Sequence, residues 1–390
     1  MKAERNAVVI HGGGPTSVLN ASLAGVIETC RATPGINRLY GARFGVQGLA
    51  DGDWVDLSSI SSDCLAGIRK APGSALGSSR RKLDEQSFGP LLDLLKERGV
   101  NYLFFTGGNG SMLTAQAIQE FSISRGREVC VIGIPKTVDN DLCVTDHTPG
   151  FGSAARFYAH AVRDIGLDNL ALPSPVTIVE VIGRNAGWVT GAAALARGYP
   201  DDAPHLIYLP ERPPTLDQIC ADIDRVFRRI GRAVVAVCEG LRDPEGNPFG
   251  ASLDRAGSKQ HELARNLGHS LAQAVQAQTG LRVRSEKPGL LGRSCSLAVS
   301  DTDAAESYLC GCEAVKAALQ GRAGVMVAMR RTQEKLYRIE TFLADLSLVA
   351  GIERLVPAEW IGPLGNDITS DFLDYVRPLA GEIPRHDRLG

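Results

Sequence analysis

Residues 129–141 read VCVIGIPKTVDND. The run VCVIGI is apolar throughout with no polar alternation, which describes a strand covered on both faces, as in a parallel sheet layered between helices. Beyond it stand a lysine, a threonine and two aspartates within seven residues. In open parallel sheets ligands bind just outside the carboxyl ends of the strands, so charge gathered there points to chemistry.

The same rhythm extends in both directions. Short apolar runs occur at 7–11, 37–44, 101–106, 176–182, 205–210, 233–238 and 324–329, separated by stretches such as NASLAGVIETCRA, FGPLLDLLKERG, SMLTAQAIQEF and IDRVFRRI, whose apolar residues recur at three and four. This βαβ order predicts an α/β fold with mostly parallel, doubly wound sheets. After the polar segment RDIGLDNLALPSP a second sheet is expected from about residue 175, giving two similar lobes rather than one very wide sheet. The tract 242–260 reads as an exposed loop before the helix HELARNLGHSLAQAVQ, and the tail from about 335 as an irregular cap.

The chain has 390 residues, 44% hydrophobic content and a net charge of −2. That is enough material for a large core, and too little charge to draw in nucleic acid or an anionic membrane. No window approaches a membrane span and no apolar leader opens the sequence, so a cytoplasmic location is expected. Nine cysteines without a CxxC pair read as buried free thiols, not as disulfides or zinc ligands.

Two glycine-rich turns stand at strand ends: GGGP at 12–15, containing Gly13 and Gly14, and GGNG at 107–110, containing Gly108, Asn109 and Gly110 and followed by Ser111. Each is read as leading into a helix, with free N–H groups for phosphate. Neither matches the G-x-G-x-x-G dinucleotide fingerprint or the G-x-x-x-x-G-K-[ST] loop. Asp139 and Asp141 are two apart, so on an extended backbone they face the same way. One could hold Mg²⁺ and the other take a proton from a hydroxyl, with Lys136 neutralising a donor phosphate; the plain alternative is a solvated turn with an Asx cap at Asn140. Arg80, Arg81, Arg184, Arg284 and Arg293 all fall in Gly- or Ser-rich contexts read as loops, which suits transfer between two phosphorylated molecules.

Taken together, GGGPTSVLNASLAGVI, GSSRRKL, TGGNGSM, GIPKTVDND, TDHTPGFGSA, IVEVIGRNAGW, CEGL, RSEKPGLLGRS and SDTDAAESY resemble the 6-phosphofructokinase family, and most closely its pyrophosphate-dependent branch. The resemblance implies two Rossmann-like lobes with the active site in the cleft between them. Residues 1–150 plus about 291–334 would form the donor lobe, 151–290 the sugar-phosphate lobe and 335–390 a C-terminal cap. It also implies phosphorylation of the C1 hydroxyl of fructose 6-phosphate with Mg²⁺ in a homodimer or homotetramer. By it, Asp139 is the base, with Thr137 and Lys136 beside it, and Asp141 and Asn109 lie on the magnesium side. Arg80 and Arg184 steady the transferring group, and Gly13, Gly14, Gly108, Asn109, Gly110 and Ser111 cradle the donor. Ile182, Gly183 and Glu239 meet the sugar; Arg293, and Arg284 from a neighbouring subunit, grip its 6-phosphate.

The chain departs from the family at Asn109, usually aspartate, at Pro175, often arginine, and at Leu290, histidine in some members. Lys136 resembles pyrophosphate users, whereas Gly110, usually aspartate in them, leaves room for a nucleotide. The GGGPTSVLNA and GGN wording favours pyrophosphate, with ATP as the rival donor. A catalytically weak sugar-phosphate-binding paralogue is the reading of another class.

Overall fold

The computed structural model describes residues 5–387 except 82, 128, 173–175, 248, 250–265 and 335. Eleven strands lie among them: β1 (Asn6–His11), β2 (Leu39–Ala42), β3 (Trp54–Asp56), β4 (Val100–Gly107), β5 (Cys130–Pro135), β6 (Val176–Val181), β7 (Leu206–Tyr208), β8 (Ala233–Cys238), β9 (Val283–Glu286), β10 (Val325–Arg331) and β11 (Ile339–Asp345). The chain divides into two compact units, residues 1–151 with 293–354, and 152–292 with 355–390.

The first unit is built on a seven-stranded sheet of order β11-β10-β5-β4-β1-β2-β3. It is parallel from β2 to β10 and antiparallel only at its edges, where β3 and β11 pair. Successive residues of the central strands feed opposite cores: Ala7, Val9, Tyr102, Phe104 and Ile132 enter one, Val8, Ile10, Leu103, Phe105 and Val131 the other. Burial on both faces is why these runs show no alternation. On one face the helices Leu19–Ala32 and Asp301–Leu319 approach at backbone distance. A Cβ at Gly25 would stand 2.2 Å from the Tyr308 carbonyl oxygen, and one at Gly311 2.1 Å from that of Ser22, so only glycine admits this crossing.

The second unit carries a parallel four-stranded sheet, β7-β8-β6-β9. One face packs against Leu216–Ile230 and Leu267–Thr279 through Ile178, Val235, Ile219 and Leu271. The helix Leu216–Ile230 is started by Thr215 Oγ1, which accepts from Gln218 N at 3.1 Å, and stopped by Gly231 at φ 72. Elsewhere in this unit Trp188, Trp360, Phe372 and Tyr375 gather into an aromatic cluster, with centroids 5.0 Å apart between Trp360 and Tyr375.

Several expectations need correction. RDIGLDNLALPSP is largely the end of a long helix, Phe151–Ala171, whose buried stripe is diluted by polar residues. The tail from 335 contains β11 and the helix Ser370–Ala380, and its parts divide between the units at 354/355. Cys64 is exposed, and Cys130, Cys143 and Cys295 are partly so. Most of the tract 242–260 and the start of its following helix lie outside the described residues, as does Pro175. Among the described residues no helix is long and apolar enough to cross a membrane.

Candidate active site

Because β1, β4 and β5 are parallel neighbours, the loops that leave them emerge at the same edge of the first unit's sheet. The first does not run straight into a helix, as GGGP suggested; the helix starts at Leu19. Residues 12–18 instead bridge to the segment 73–79: Gly13 N donates to Ser79 O at 3.1 Å, Ser78 Oγ to Gly13 O at 2.6 Å, and Thr16 pairs with Gly73. Buried His11 braces that segment, its Nδ1 2.8 Å from Ser74 Oγ, which donates to Gly77 O. These two segments line a recess that reaches Arg80.

The second loop is a true helix start. Gly108 precedes the helix Asn109–Ser124, and its carbonyl accepts from Ser111 N at 2.9 Å and Met112 N at 3.0 Å, which leaves the N–H groups of Asn109 and Gly110 as the first-turn donors with no acceptor inside the helix. Ser111 is wedged below, so that a Cβ at Gly12 or Gly107 would meet its Oγ at 2.2 or 2.1 Å. A Cβ at Gly110 would meet nothing within 4 Å.

The third loop is Lys136–Asp141. Lys136 is 4% exposed and reaches across the first loop to donate to Gly14 O at 2.8 Å. Burial pushes its pKa down to about 8, against Asp139 and Asp141, which raise it; Arg293 and Arg80 lower it further. Thr137 Oγ1 accepts from Asp139 N at 3.1 Å. The extended backbone assumed for the two aspartates is not found: Asn140 has φ 56, a left-handed conformation, and is fully buried. Its Oδ1 accepts from Thr148 N at 3.0 Å, so the solvated turn is also excluded. Asp141 turns toward Asn109, whose Nδ2 donates to its Oδ2 at 3.1 Å. Desolvation raises the Asp141 pKa, partly offset by the Asn109 hydrogen bond. Asp141 Oδ1 and Asn109 Oδ1 are both buried without a partner among the described residues, which suits a hard cation seeking oxygen ligands.

In the second unit the loop after β6 is locked to the loop after β8. Glu239 Oε1 accepts from Gly183 N at 3.3 Å, Cys238 Sγ donates to Gly183 O at 2.9 Å, and Gly240 N donates to Gly183 O at 3.2 Å. A Cβ at Gly240 would stand 1.4 Å from Arg184 O, and Gly183 has φ 143. Ile182 is buried just past the end of β6, directly before Gly183. Arg284 lies on β9, not in a loop, and Leu290 is 71% exposed.

Among the described residues Arg80, Arg184, Arg284 and Arg293 form no ion pair with a carboxylate, whereas Arg127, Arg197 and Arg330 do. Guanidiniums kept clear of acids are available to anions. Arg81 is already engaged with Gln47. Arg293 belongs to the first unit, its Nη1 3.6 Å from the Cβ position of Gly14, so it stands beside the glycine loop. Sequence reading passed over His11, whose signal is only a polar residue ending an apolar strand.

Two parallel-sheet units with anion-ready strand ends define a phosphate-handling α/β protein. The phosphofructokinase family model matches residues 6–318, and the chain belongs to that family. It is 40% identical to a pyrophosphate–fructose 6-phosphate 1-phosphotransferase of Rhodospirillum rubrum over 96% of this chain and 94% of that one. It is 34% identical to a sulfofructose kinase of Alkalicoccus urumqiensis over 90% of each. Its structure resembles a pyrophosphate-dependent phosphofructokinase from Marinobacter aquaeolei with a TM-score of 0.87 at 32% identity, covering 98% of this chain and 94% of that one.

Proposed function

We infer that the protein transfers a phosphoryl group from pyrophosphate to the C1 hydroxyl of fructose 6-phosphate, giving fructose 1,6-bisphosphate. Apart from kinship, the observation that carries this reading is Lys136. A buried ammonium laid under the first glycine loop gives a donor that has no nucleoside to hold a charge to bind instead.

Phosphoryl transfer is governed by positioning and charge neutralisation. In this reading Asp139 takes the C1 hydroxyl proton, with Thr137 fixing the main chain at Asp139. Lys136, Arg80 and Arg184 offset charge on the moving group, and Gly13, Gly14, Gly108, Gly110 and Ser111 bring main chain close to the donor. Gly183, Glu239, Arg284 and Arg293 are assigned to the sugar phosphate. Mg²⁺ would be held by Asp141 and Asn109 with substrate oxygens, since no cluster of three His, Cys, Asp or Glu able to hold a metal occurs among the described residues. When bound it neutralises charge on the donor oxygens. Arg284, half-buried on β9 without an acidic partner among the described residues, supports a homodimer or homotetramer in which it serves a neighbour; a monomeric mass by light scattering would remove that part.

The test is a paired assay with Mg²⁺ and fructose 6-phosphate, pyrophosphate or ATP as donor, and product coupled to NADH oxidation. Turnover with pyrophosphate is expected; its absence overturns the reading. One observation favours a second acceptor. Leu290, exposed where some family members place a histidine, weakens a grip on a doubly charged phosphate, and a singly charged sulfonate needs fewer cations. Running sulfofructose in the same assay decides between them by kcat/KM.

A further inference from the structure

We propose that His147 is a positioning residue for this reaction: an imidazolium clamped between Asp146 and Glu306 that holds the return path of the Lys136–Asp141 loop and so aims Asp139. The proposal rests on the functional reading above, but its geometry stands independently of it. His147 is 2% exposed, with Nδ1 2.8 Å from Asp146 Oδ1 and Nε2 2.6 Å from Glu306 Oε2. A neutral imidazole can donate from one nitrogen only, whereas two carboxylate partners call for two donors. Both carboxylates have further donors. Tyr337 OH donates to Glu306 Oε1 at 2.7 Å, and Arg331 Nε to Asp146 Oδ1 at 3.0 Å.

The charged groups around the ring come from every neighbouring element. Asp146 lies on its own loop and Glu306 on the helix Asp301–Leu319. Arg331 ends β10, Tyr337 precedes β11, and Arg354 follows β11 and donates to Thr145 O at 3.0 Å and to Asp146 O. Asp303, one turn before Glu306, accepts from Gly150 N at 2.8 Å. Of the charged groups in direct contact, the carboxylates of Asp146 and Glu306 are met by Arg331 and by His147. Burial works against that proton, but the hydrogen bonds to Asp146 and Glu306 outweigh burial and hold the group above its ordinary range.

From this clamp the chain returns directly to the catalytic loop. Thr148 Oγ1 donates to Thr137 O at 2.9 Å and Thr148 N to Asn140 Oδ1 at 3.0 Å; Thr137 N donates to Pro149 O at 3.2 Å. Asp139 lies between those two anchored residues. Val144 is held at φ 68, a conformation costly for a β-branched residue. Such strain persists only where the surroundings over-determine the backbone.

The experiment compares wild type, His147→Gln and the milder Tyr337→Phe. ¹⁵N-histidine NMR of the wild type at pH 7.5, a solution condition of about one unit above the ordinary imidazole pKa, is expected to show both His147 nitrogens protonated; a single neutral tautomer overturns the proposal whatever the activity. In the coupled assay His147→Gln is expected to lower kcat about 10- to 100-fold, the scale of a small misplacement of a catalytic group, with both KM values within about threefold. It should also abolish the alkaline fall in kcat that titration of His147 gives the wild type. Should His147→Gln not fold, Tyr337→Phe, expected to shift that alkaline limb downward in pH, carries the test. Unchanged kcat and an unchanged limb in the folded variants overturn it. A wild type inactive with pyrophosphate, yet showing the doubly protonated ring, sinks the functional reading and leaves the clamp standing.

Discussion

The loops after β5 and after β6 both end parallel strands, yet they are held by opposite means. The first is fixed by buried polar side chains: Lys136 on Gly14, Asn140 on Thr148, Asp141 on Asn109. The second is fixed through glycine main chain: Gly183, at φ 143, takes Glu239 Oε1 on its N–H and Cys238 Sγ and Gly240 N on its carbonyl, and Gly240 sits against Arg184 O. A loop that must present charge to charge needs preorganised dipoles, which stabilise an anion without reorganising. A loop that presents an exposed arginine needs only a rigid turn beneath it.

The contrast breaks most visibly at Asp139. Asp139→Asn is expected to lower kcat at least ~10²-fold, the lower end for a general base, while leaving the thermal midpoint close to wild type; a loss under tenfold in the coupled assay would remove Asp139 from its role. Gly240→Ala should do the reverse. Forcing a methyl into a space already holding a carbonyl costs roughly 1–3 kcal/mol, read by urea unfolding, and should raise the KM for the sugar phosphate more than that for pyrophosphate.

Lys136→Met sharpens the comparison, because function and stability should part. A lysine whose folded pKa lies near 8 rather than 10.5 is destabilising while charged, by an amount on the order of 3 kcal/mol before its hydrogen bond is counted. The variant is therefore expected to be more stable at pH 7 by about 1–3 kcal/mol and to bind pyrophosphate far more weakly. The sign follows from proton counting. Between pH 8 and 10.5 the unfolded chain holds this proton and the folded chain has lost it, so wild-type stability gains with rising pH in that window. The difference between wild type and variant should shrink there, and the wild-type KM for pyrophosphate should climb as pH passes about 8. A stability difference independent of pH would mean Lys136 is not the desolvated cation described. The smallest effect is expected at Gly110→Asp: its Cβ enters open space, so pyrophosphate turnover should change only about two- to threefold, any ATP turnover falling further.

Strands β1, β4, β5, β6, β8 and β10 could be read as continuous apolar runs because both their faces are buried. The three that escaped, β3, β9 and β11, are edge strands, half-solvated and mixed in character, with sequences WVD, VRSE and IETFLAD. The glycine turns, Lys136 and the D-N-D triplet stood out as charge and glycine at strand ends. Their geometry did not. The facing aspartates presumed an extended chain, and Asn140 in the left-handed region reversed that, its conformation set by Thr148, eight residues on.

Composition and periodicity by themselves determined the alternation of strands and helices and where along the chain charge would collect, since both depend on neighbours in sequence. The tertiary structure alone decided which of those charges are buried, paired or left open. Burying Lys136, and meeting His147 with Glu306 across 159 positions, requires residues distant in sequence to be brought together, and solvation and Coulomb energy depend on that distance in space.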